Sequence, residues 1–344
     1  MGRLEGIVKP ATGKKRMRIA PWLVLFFLAP AIGELLSGSS PPVEFFSPFG
    51  LTLLCLLYGG GALLVRELTC RWRGGWRTVL LLGAAYGIIE EGLMVKSWFD
   101  PNWMDLGVLG TYGRFAGVNW VWAAGLTLYH TVYSIGAPVL LTTILFPAHR
   151  NEPWVGRRGL IILLALFLAD VVVGFLWMTP YRPPAAAYLL TAIGTALLIW
   201  IARRTAAPRR APEARPRGSL WRMFLLGLGW AIAFFIQLWA LPSTGMPVLA
   251  LLALLVGFSW ASIALAKRLE SGAVFDSPRH VLALASGVLT FLILIAPLQE
   301  MDKSRADNTA GMAVVGAAAA LFLLWMAWRL RIRPWPEPPT RGMF

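Results

Sequence analysis

Charge is scarce in this 344-residue chain, and cysteine is almost absent. Asp, Glu, Lys and Arg together make up 14% of the residues, whereas a soluble domain usually carries about 25%. Too little charge is present to cover a soluble surface, and a hydrophobic content of 57% excludes intrinsic disorder. The two cysteines, Cys55 and Cys70, are too few for a disulfide-stapled secreted domain. The composition is typical of an integral membrane protein.

Apolar runs long enough to cross a bilayer recur along the whole chain. A helix needs roughly 20 mostly apolar residues to cross about 30 Å of hydrocarbon. The predicted spans are 19–36, 48–65, 78–98, 118–146, 159–178, 185–201, 219–241, 246–266, 280–297 and 311–330. The predicted fold class is therefore all-α: a polytopic transmembrane helical bundle of about ten spans.

A basic, proline-rich stretch divides these spans into two groups. Residues 202–218 read ARRTAAPRRAPEARPRG, a composition typical of a cytoplasmic linker beside anionic lipid. The linker separates a membrane bundle at 1–201, with six spans, from a second bundle at 219–344. The second bundle is predicted to have four apolar spans and a basic cytoplasmic tail.

The net charge of +15 is distributed very unevenly across the predicted membrane. With the N-terminus in the cytoplasm, 27 of the 32 Lys and Arg residues lie on the cytoplasmic side and four in outer loops. This asymmetry is the positive-inside pattern of membrane proteins, and it explains the basic balance without nucleic-acid binding. We therefore expect two cytoplasmic termini and a place in the bacterial cytoplasmic (inner) membrane. The expected partners are the lipid bilayer and, at the basic loops, anionic lipid headgroups.

Ionisable side chains within the spans occur only in the first half of the chain. They are Glu34, Glu90, Glu91, His130 and Asp170. A charge deep in a span costs about 3 kcal/mol or more, so such a group indicates a functional site. The last five spans carry no charge away from their ends. We expect the polar centre of the molecule in spans one to five.

Three of these spans bring their ionisable groups to nearly one depth. At about 1.5 Å of rise per residue, Glu90, Glu91, His130 and Asp170 lie at similar levels of the bilayer. Ser134 follows His130 by one helical turn, so its hydroxyl can orient the imidazole. A buried carboxylate of the Glu90–Glu91 pair can act as a general base, a proton carrier or a metal ligand. The predicted catalytic residues are the two glutamates and His130, supported by Asp170 and Ser134; whether a metal binds stays open.

Three further charged residues complete the supporting set. Glu34 lies near the outer end of the first span, and Arg66 and Glu67 lie just past the end of the second. Arg66 and Glu67 are predicted to form an ion pair. The alternative to a functional role is packing, in which Arg66 or Lys96 pairs with the adjacent glutamates of the third span and holds helices in register.

One sequence pattern resembles a known protease group. AYGIIEEGL at 85–93, followed by a span with His130, resembles the CAAX-protease and bacteriocin-processing group of intramembrane glutamate proteases, whose site opens with E-E-x-x-x-R. The resemblance implies that Glu90 or Glu91 activates a water, while His130 stabilises the oxyanion or binds a metal. Val95 stands at the arginine position. The wider set PAIGELLSGSSPP, YGGGALLVRE and AYGIIEEGL also resembles bacterial multi-pass membrane proteins with no assigned activity.

These features leave three functions open. The leading hypothesis is a membrane-embedded glutamate/histidine hydrolase. A proton-coupled secondary transporter or permease would also use buried, protonatable carboxylates, although transporters built from inverted repeats have broken polar helices in both halves. The third is a non-enzymatic membrane assembly protein in which the polar cluster only fixes the bundle. The sequence does not decide whether the protein is an enzyme.

Overall fold

Long helices occupy all ten predicted span positions. The computed structural model describes residues 19–104, 106–207, 219–269 and 277–332. The helices of these segments, numbered in chain order, are α1 (Pro21–Leu35), α2 (Pro48–Arg71), α3 (76–94), α4 (Trp120–Leu145), α5 (Arg157–Trp177), α6 (Ala185–Arg204), α7 (Leu220–Thr244), α8 (Val248–Leu269), α9 (Pro278–Met301) and α10 (Met312–Ile332). The all-α polytopic fold is confirmed. The basic segment 1–18, most of the predicted linker and the tail beyond 332 lie outside the described residues, and the division into two bundles stays a prediction.

Short elements fill the loops between these helices. They are a helix at Pro42–Phe45, 3₁₀ turns at Gly107–Gly110 and Pro147–His149, and an antiparallel hairpin of Arg114–Phe115 with Val118–Asn119. Arg114 pairs with Asn119 and Phe115 with Val118. Asn119 then starts α4, because its side-chain oxygen accepts a hydrogen bond from the Trp122 amide at 2.9 Å and so caps the helix.

The helices differ strongly in how much apolar surface they expose. Eight are long and apolar enough to cross a membrane; α1 is shorter, and α3, which carries Arg77 and two glutamates, is not among them. In the most apolar part of each helix, 78% of α4 is buried but only 11% of α6 and of α8. We infer that α4 is the central helix and that α6 and α8 face lipid.

Helix α4 also joins the two apolar cores. Tyr129 and Tyr133 belong to the core formed with α7 and α9, whereas Ile135 and Val139 belong to the core formed with α1, α2 and α3. The Tyr133 hydroxyl donates to the Val288 carbonyl of α9 at 3.3 Å. The second half of the chain therefore packs directly on the helix that carries His130.

Five of the helices contain a π turn, and four of these turns lie in the first half. The segments are Ala31–Leu35 in α1, Cys55–Gly59 in α2, Ile89–Met94 in α3, His130–Gly136 in α4 and Ile236–Ala240 in α7. Single π turns within helices are rare and are frequent at functional sites. The first four turns carry six polar groups of the site described below: Glu34, Tyr58, Glu90, Glu91, His130 and Ser134.

Candidate functional site

Glu90, Glu91 and His130 come together between α3 and α4. His130 Nε2 lies 2.9 Å from Glu91 Oε1, and His130 Nδ1 lies 3.1 Å from Glu90 Oε2. All three residues are buried. Because adjacent residues on a helix point about 100° apart, the two carboxylates reach opposite edges of the imidazole rather than a single atom. The structure thus brings together the three residues predicted as catalytic.

A glycine allows this close approach of the two helices. A Cβ added at Gly87 would lie 3.0 Å from the Cβ of His130 and 3.3 Å from the Thr127 Cα. One turn earlier, Gly83 faces the backbone of Thr131 at 3.3 Å. Gly83 and Gly87, four residues apart, therefore form the surface on which α4 packs against α3.

Ser134 holds the other side of the imidazole. Its Oγ lies 2.9 Å from His130 Nδ1, as expected for residues one turn apart. Ser134, His130 and Glu91 form a continuous hydrogen-bonded chain in which a hydroxyl and a carboxylate contact the two ring nitrogens. This connectivity resembles that of hydrolase triads, which are recognised by geometry and not by sequence order.

Glu91 has both carboxylate oxygens in hydrogen bonds. Oε1 contacts His130, and Oε2 accepts a hydrogen bond from Ser97 Oγ. Ser97 in turn accepts a hydrogen bond from Trp122 Nε1 at 3.1 Å. The chain turns back after α3 at Lys96, which has φ 62°, so that Ser97 faces the helix end that carries Glu91. Glu91 is therefore held in place by residues from both helices.

Glu90 differs, because one of its buried oxygens has no hydrogen-bond partner. Oε2 lies near His130 Nδ1, yet no donor among the described residues forms a hydrogen bond to it. The hydroxyl of Tyr86, one turn earlier on the same face of α3, is also buried without a hydrogen bond in the described part of the chain. Tyr86 and Glu90 interact with each other, but neither atom forms a regular hydrogen bond with a described residue. Buried polar atoms nearly always form one, so a water or ligand that binds between them would satisfy both.

Glu34 reaches the cluster through a tyrosine. The Tyr58 hydroxyl donates to Glu34 Oε1, and Ser40 Oγ donates to Oε2 at 2.7 Å. The Tyr58 ring lies 6.0 Å from the His130 ring, measured between centroids. A second tyrosine, Tyr129, donates to the Gly33 carbonyl at 2.8 Å and fixes the π turn of α1. Glu34 thus extends the polar cluster toward the loop that follows α1.

Asp170 lies outside the compact cluster. It is buried on α5, and its Oδ2 has no hydrogen-bond partner within the described ranges. The reason is that α5 packs mainly against α2 and α3. Phe167, one turn before Asp170, packs on the Tyr86 ring with centroids 6.2 Å apart. The similar depth expected from the sequence therefore does not bring Asp170 into contact with the imidazole.

Arg66 and Glu67 form a separate network at the other end of α2. Glu67 Oε1 accepts from Arg66 Nη1 at 2.8 Å and from the Trp154 amide at 2.7 Å. The Arg66 guanidinium also lies 3.6 Å above the Trp154 ring. The predicted ion pair is confirmed, but it does not support the Glu–His cluster. It holds the loop between α4 and α5 against α2.

Lys96 does not pair with the glutamates either. Its ammonium, which is fully buried, donates to the carbonyls of Phe175 at 2.6 Å and Thr179 at 3.0 Å. These carbonyls belong to the C-terminal end of α5 and the residues after it, where a cation is favourable. In the segments that the structure describes, Glu90 and Glu91 have ion-pair contacts with His130. Packing through Arg66 or Lys96 is therefore not what joins these helices.

Sequence reasoning missed Tyr58, Tyr86, Ser97 and Trp122. The two tyrosines each precede a glycine in the patterns YGGG and AYG, and a tyrosine within an apolar run needs a partner for its hydroxyl. That requirement was the available signal. Ser97 and Trp122 gave none, because the contact between them depends on the turn at Lys96 and on the start of α4.

The fold and the buried cluster define a polytopic helical membrane protein with a polar centre in its first half. The chain belongs to a family described as an uncharacterized membrane protein family, whose model matches residues 23–324. The predicted resemblance to multi-pass membrane proteins with no assigned activity is confirmed at this level. The resemblance to the CAAX-protease group is not confirmed by this match and stays a prediction.

A curated relative comes from the archaeon Archaeoglobus fulgidus and is described as an uncharacterized protein. It is 26% identical over 131 residues, which cover 38% of this chain. The chain spans 40% of the length of that relative. No solved structure matches the chain significantly. The family match shows that the protein is a membrane protein. Because the relative is archaeal, the bacterial inner membrane stays a prediction.

Proposed function

We propose that the protein is a membrane-embedded hydrolase in which Glu90 activates the attacking water. The observation that carries the proposal is the unpartnered Oε2 of Glu90 beside the ordered chain of Glu91, His130 and Ser134. A general base needs a free oxygen within reach of the proton that it removes. Glu90 Oε2 accepts no hydrogen bond from a described residue, although it lies 3.1 Å from His130 Nδ1, whereas both oxygens of Glu91 are hydrogen-bonded.

The chemistry assigns one step to each group. Glu90 removes a proton from water as the water oxygen forms a bond to the carbonyl carbon of an amide. The imidazole of His130, held by Glu91 and Ser134, stabilises the oxyanion that develops beside it. When the C–N bond breaks, the proton held by Glu90 passes to the leaving amine, so that atoms and charge balance.

Glu91 acts as a positioning residue for His130. Its contact with Nε2 fixes the ring orientation, the role that a carboxylate has beside a catalytic histidine. Ser97 and Trp122 hold Glu91 through their hydrogen bonds. The site is built on helices and not on loops, which suits a geometry that must be held within tenths of an ångström.

The test uses oxygen-18 water, because hydrolysis leaves one water oxygen in the new carboxyl group. Purified protein in liposomes is incubated in labelled water with a pool of synthetic transmembrane peptides, and labelled C-termini are identified by mass spectrometry. We expect labelled products from the wild type and at least ~100-fold fewer from Glu90→Gln. Asp170→Asn, a change to a buried acid outside the cluster, serves as the control and should keep activity. Unlabelled peptides with the wild type, or equal rates with Glu90→Gln, would reject the proposal.

Ser134 offers a competing mechanism for the same reaction, because its contact with His130 has the connectivity of a serine nucleophile and its base. Ser134 is fully buried, and a Cβ at Gly33 would lie 2.9 Å from its Oγ. That crowding leaves little room for a carbonyl at the hydroxyl. We therefore expect Ser134→Ala to keep a measurable part of the activity, whereas a nucleophile at this position would make the variant inactive.

A proton-coupled transporter is the second candidate function. The observation that favours it is the path from Ser40 through Glu34 and Tyr58 toward His130, since a chain of exchangeable groups can carry protons. The test is proton uptake into liposomes that hold a pH-sensitive dye under an imposed potential. Uptake by the wild type that is lost in Glu34→Gln, with no labelled peptide products, would favour transport over hydrolysis.

A further inference from the structure

Three side chains of types that commonly bind transition metals share one buried position. Glu90, Glu91 and His130 each offer a ligand atom, and these atoms all lie within 4.8 Å of one another. A buried cluster of two carboxylates and one imidazole is costly to desolvate, and the hydrogen bonds to Glu91 compensate only part of that cost. A bound ion would offset the rest of this cost, whether or not the cluster catalyses a reaction.

The unpartnered atoms at the site point to a ligand. Oε2 of Glu90 and the hydroxyl of Tyr86 are buried without a hydrogen bond in the part of the chain that is described, and Glu90 is only 4% exposed. The Tyr86 ring lies 6.1 Å from the His130 ring between centroids. Leaving a polar group in this state is energetically unfavourable. Both atoms lie on the face of α3 that His130 packs against, so one bound species can satisfy both.

We propose that Glu90, Glu91 and His130 bind one divalent transition-metal ion, of which Zn²⁺ is the species that this donor set favours. One imidazole nitrogen and two carboxylate oxygens form a three-ligand set that leaves a fourth position for water. Ligand atoms around a tetrahedral Zn²⁺ lie about 3.4 Å apart. The observed 2.9 Å between His130 Nε2 and Glu91 Oε1 is slightly shorter, and Glu90 Oε2 lies 3.1 Å from the other ring nitrogen. A ligand atom of Glu90 lies within 4.8 Å of the other two, so its carboxylate must turn toward Nε2 to complete the set.

Ser134 completes the arrangement as an orienting group. Its Oγ contacts Nδ1 at 2.9 Å and so leaves Nε2, which faces Glu91, as the ligand nitrogen. Metal-binding histidines nearly always use their other nitrogen in a hydrogen bond that fixes the ring. Ser97 has the same relation to Glu91, since it holds the second carboxylate oxygen. The contacts that position the cluster are those expected around a metal centre.

The ion deepens the proposed function, on which its chemical role rests, because it would hold the attacking water beside Glu90 and favour loss of the water's proton. Binding of the ion does not itself depend on hydrolysis. A transporter or an assembly protein with this cluster would bind the same ion. Metal content and peptide cleavage are therefore measured on the same preparations.

The experiment measures zinc in purified full-length protein. The protein in detergent is stripped with a chelator, incubated with zinc chloride, freed of excess ion, and analysed by mass spectrometry for metal; affinity is obtained by competition with a chromogenic chelator. We expect one Zn²⁺ per chain, and at least a tenfold loss of affinity in Glu90→Gln, Glu91→Gln and His130→Gln. Asp170→Asn and His149→Gln, which change a buried acid and an imidazole elsewhere, should bind as the wild type does.

Each outcome decides the question. Absence of stoichiometric zinc in the wild type, or retention by all three cluster variants, overturns the metal site. If Glu91→Gln does not fold, Glu90→Gln still decides, because it alters an oxygen that has no hydrogen bond. Zinc bound without labelled peptide products would leave the metal site standing and reject the hydrolase. Labelled products from a wild type that binds no stoichiometric zinc would leave the hydrolase standing and reject the metal site.

Discussion

Glu91 and His130 contact each other at 2.9 Å although 39 positions separate them in the chain. The contact exists because α3 and α4 approach closely at Gly87 and because a π turn in each helix directs both side chains into the interface. Ser97 and Trp122 then hold the carboxylate from its far side. Glu91 is thus fully hydrogen-bonded, whereas Glu90 beside it is not. Because of this difference, variants at the two adjacent glutamates distinguish a residue that stabilises the fold from one that is available for function.

The first prediction concerns the stability of the two glutamine variants. Glu91→Gln removes a charge-assisted contact with His130 and disturbs the one with Ser97, so we expect the free energy of unfolding to fall by about 1–3 kcal/mol. Glu90→Gln changes an oxygen without a hydrogen bond and removes only its 3.1 Å ion-pair contact with His130, so the loss of stability should be smaller than in Glu91→Gln. Thermal unfolding in detergent measures both. Equal losses in the two variants would contradict the assignment of separate roles.

The second prediction compares two tyrosines that face the cluster. Tyr58→Phe removes the donor to Glu34 and leaves a carboxylate oxygen unsatisfied, which should cost about 1–3 kcal/mol. Tyr86→Phe removes a hydroxyl without a hydrogen bond, so the metal-free protein should be as stable as the wild type or more so. The two changes delete the same atom from the same residue type. A loss in Tyr86→Phe as large as that in Tyr58→Phe would show that the Tyr86 hydroxyl has a partner.

The third prediction tests the close approach of α3 and α4. Gly87→Ala places a methyl group 3.0 Å from the His130 Cβ, so the helices must separate or the imidazole must move. We expect a loss of about 1–3 kcal/mol, as for other overpacked cores, together with weaker zinc binding. Gly229→Ala is the control, because nothing lies within 4 Å of its Cβ position and alanine favours the helix. If Gly87→Ala is as stable as the wild type, the helix contact is looser than described.

Much of the fold follows from the sequence by simple physics. Apolar runs of bilayer length predict the positions of α1 to α10, because each backbone hydrogen bond within lipid must be satisfied inside its own helix. The cost of burying charge then selects Glu90, Glu91 and His130 from the apolar background. Asp170 shows the limit of that reasoning. Depth can be estimated from residue counts, but the face of a helix that meets a neighbour cannot.

The π turns explain why the rest of the site could not be predicted. One extra residue in a turn rotates the following side chains by about 100° relative to a regular α-helix. Regular periodicity relates Thr127, His130 and Ser134, but it does not predict the rotation within 130–136. The partnership of Ser97 with Glu91 likewise depends on a left-handed turn at Lys96, a residue type that rarely adopts it.

The fourth prediction separates the Arg66–Glu67 network from the site. Glu67 is fully buried, so Glu67→Gln leaves the Arg66 guanidinium without its ion pair and should cost about 3–5 kcal/mol. Glu152→Gln is the matched change, because the Glu152 side chain is 59% exposed and should contribute less than about 1 kcal/mol. Zinc binding by the folded fraction should remain in both variants. Loss of zinc in folded Glu67→Gln would show that the network and the cluster are coupled.

The fifth prediction addresses orientation in the membrane. The distribution of basic residues predicts a cytoplasmic loop between α4 and α5 and an outer loop between α9 and α10. Gly156→Cys and Ser304→Cys, made separately with Cys55 and Cys70 replaced by alanine, put one thiol at an exposed position in each loop. A membrane-impermeant maleimide added to intact cells should label only Ser304→Cys, and Gly156→Cys should react only after the membrane is opened. The reverse result would invert the topology, and the polar path from Ser40 to Glu34 would then begin in the cytoplasm. Labelling of both positions in intact cells would instead mean that the two loops share one side, which requires an even number of spans between them and not the five from α5 to α9.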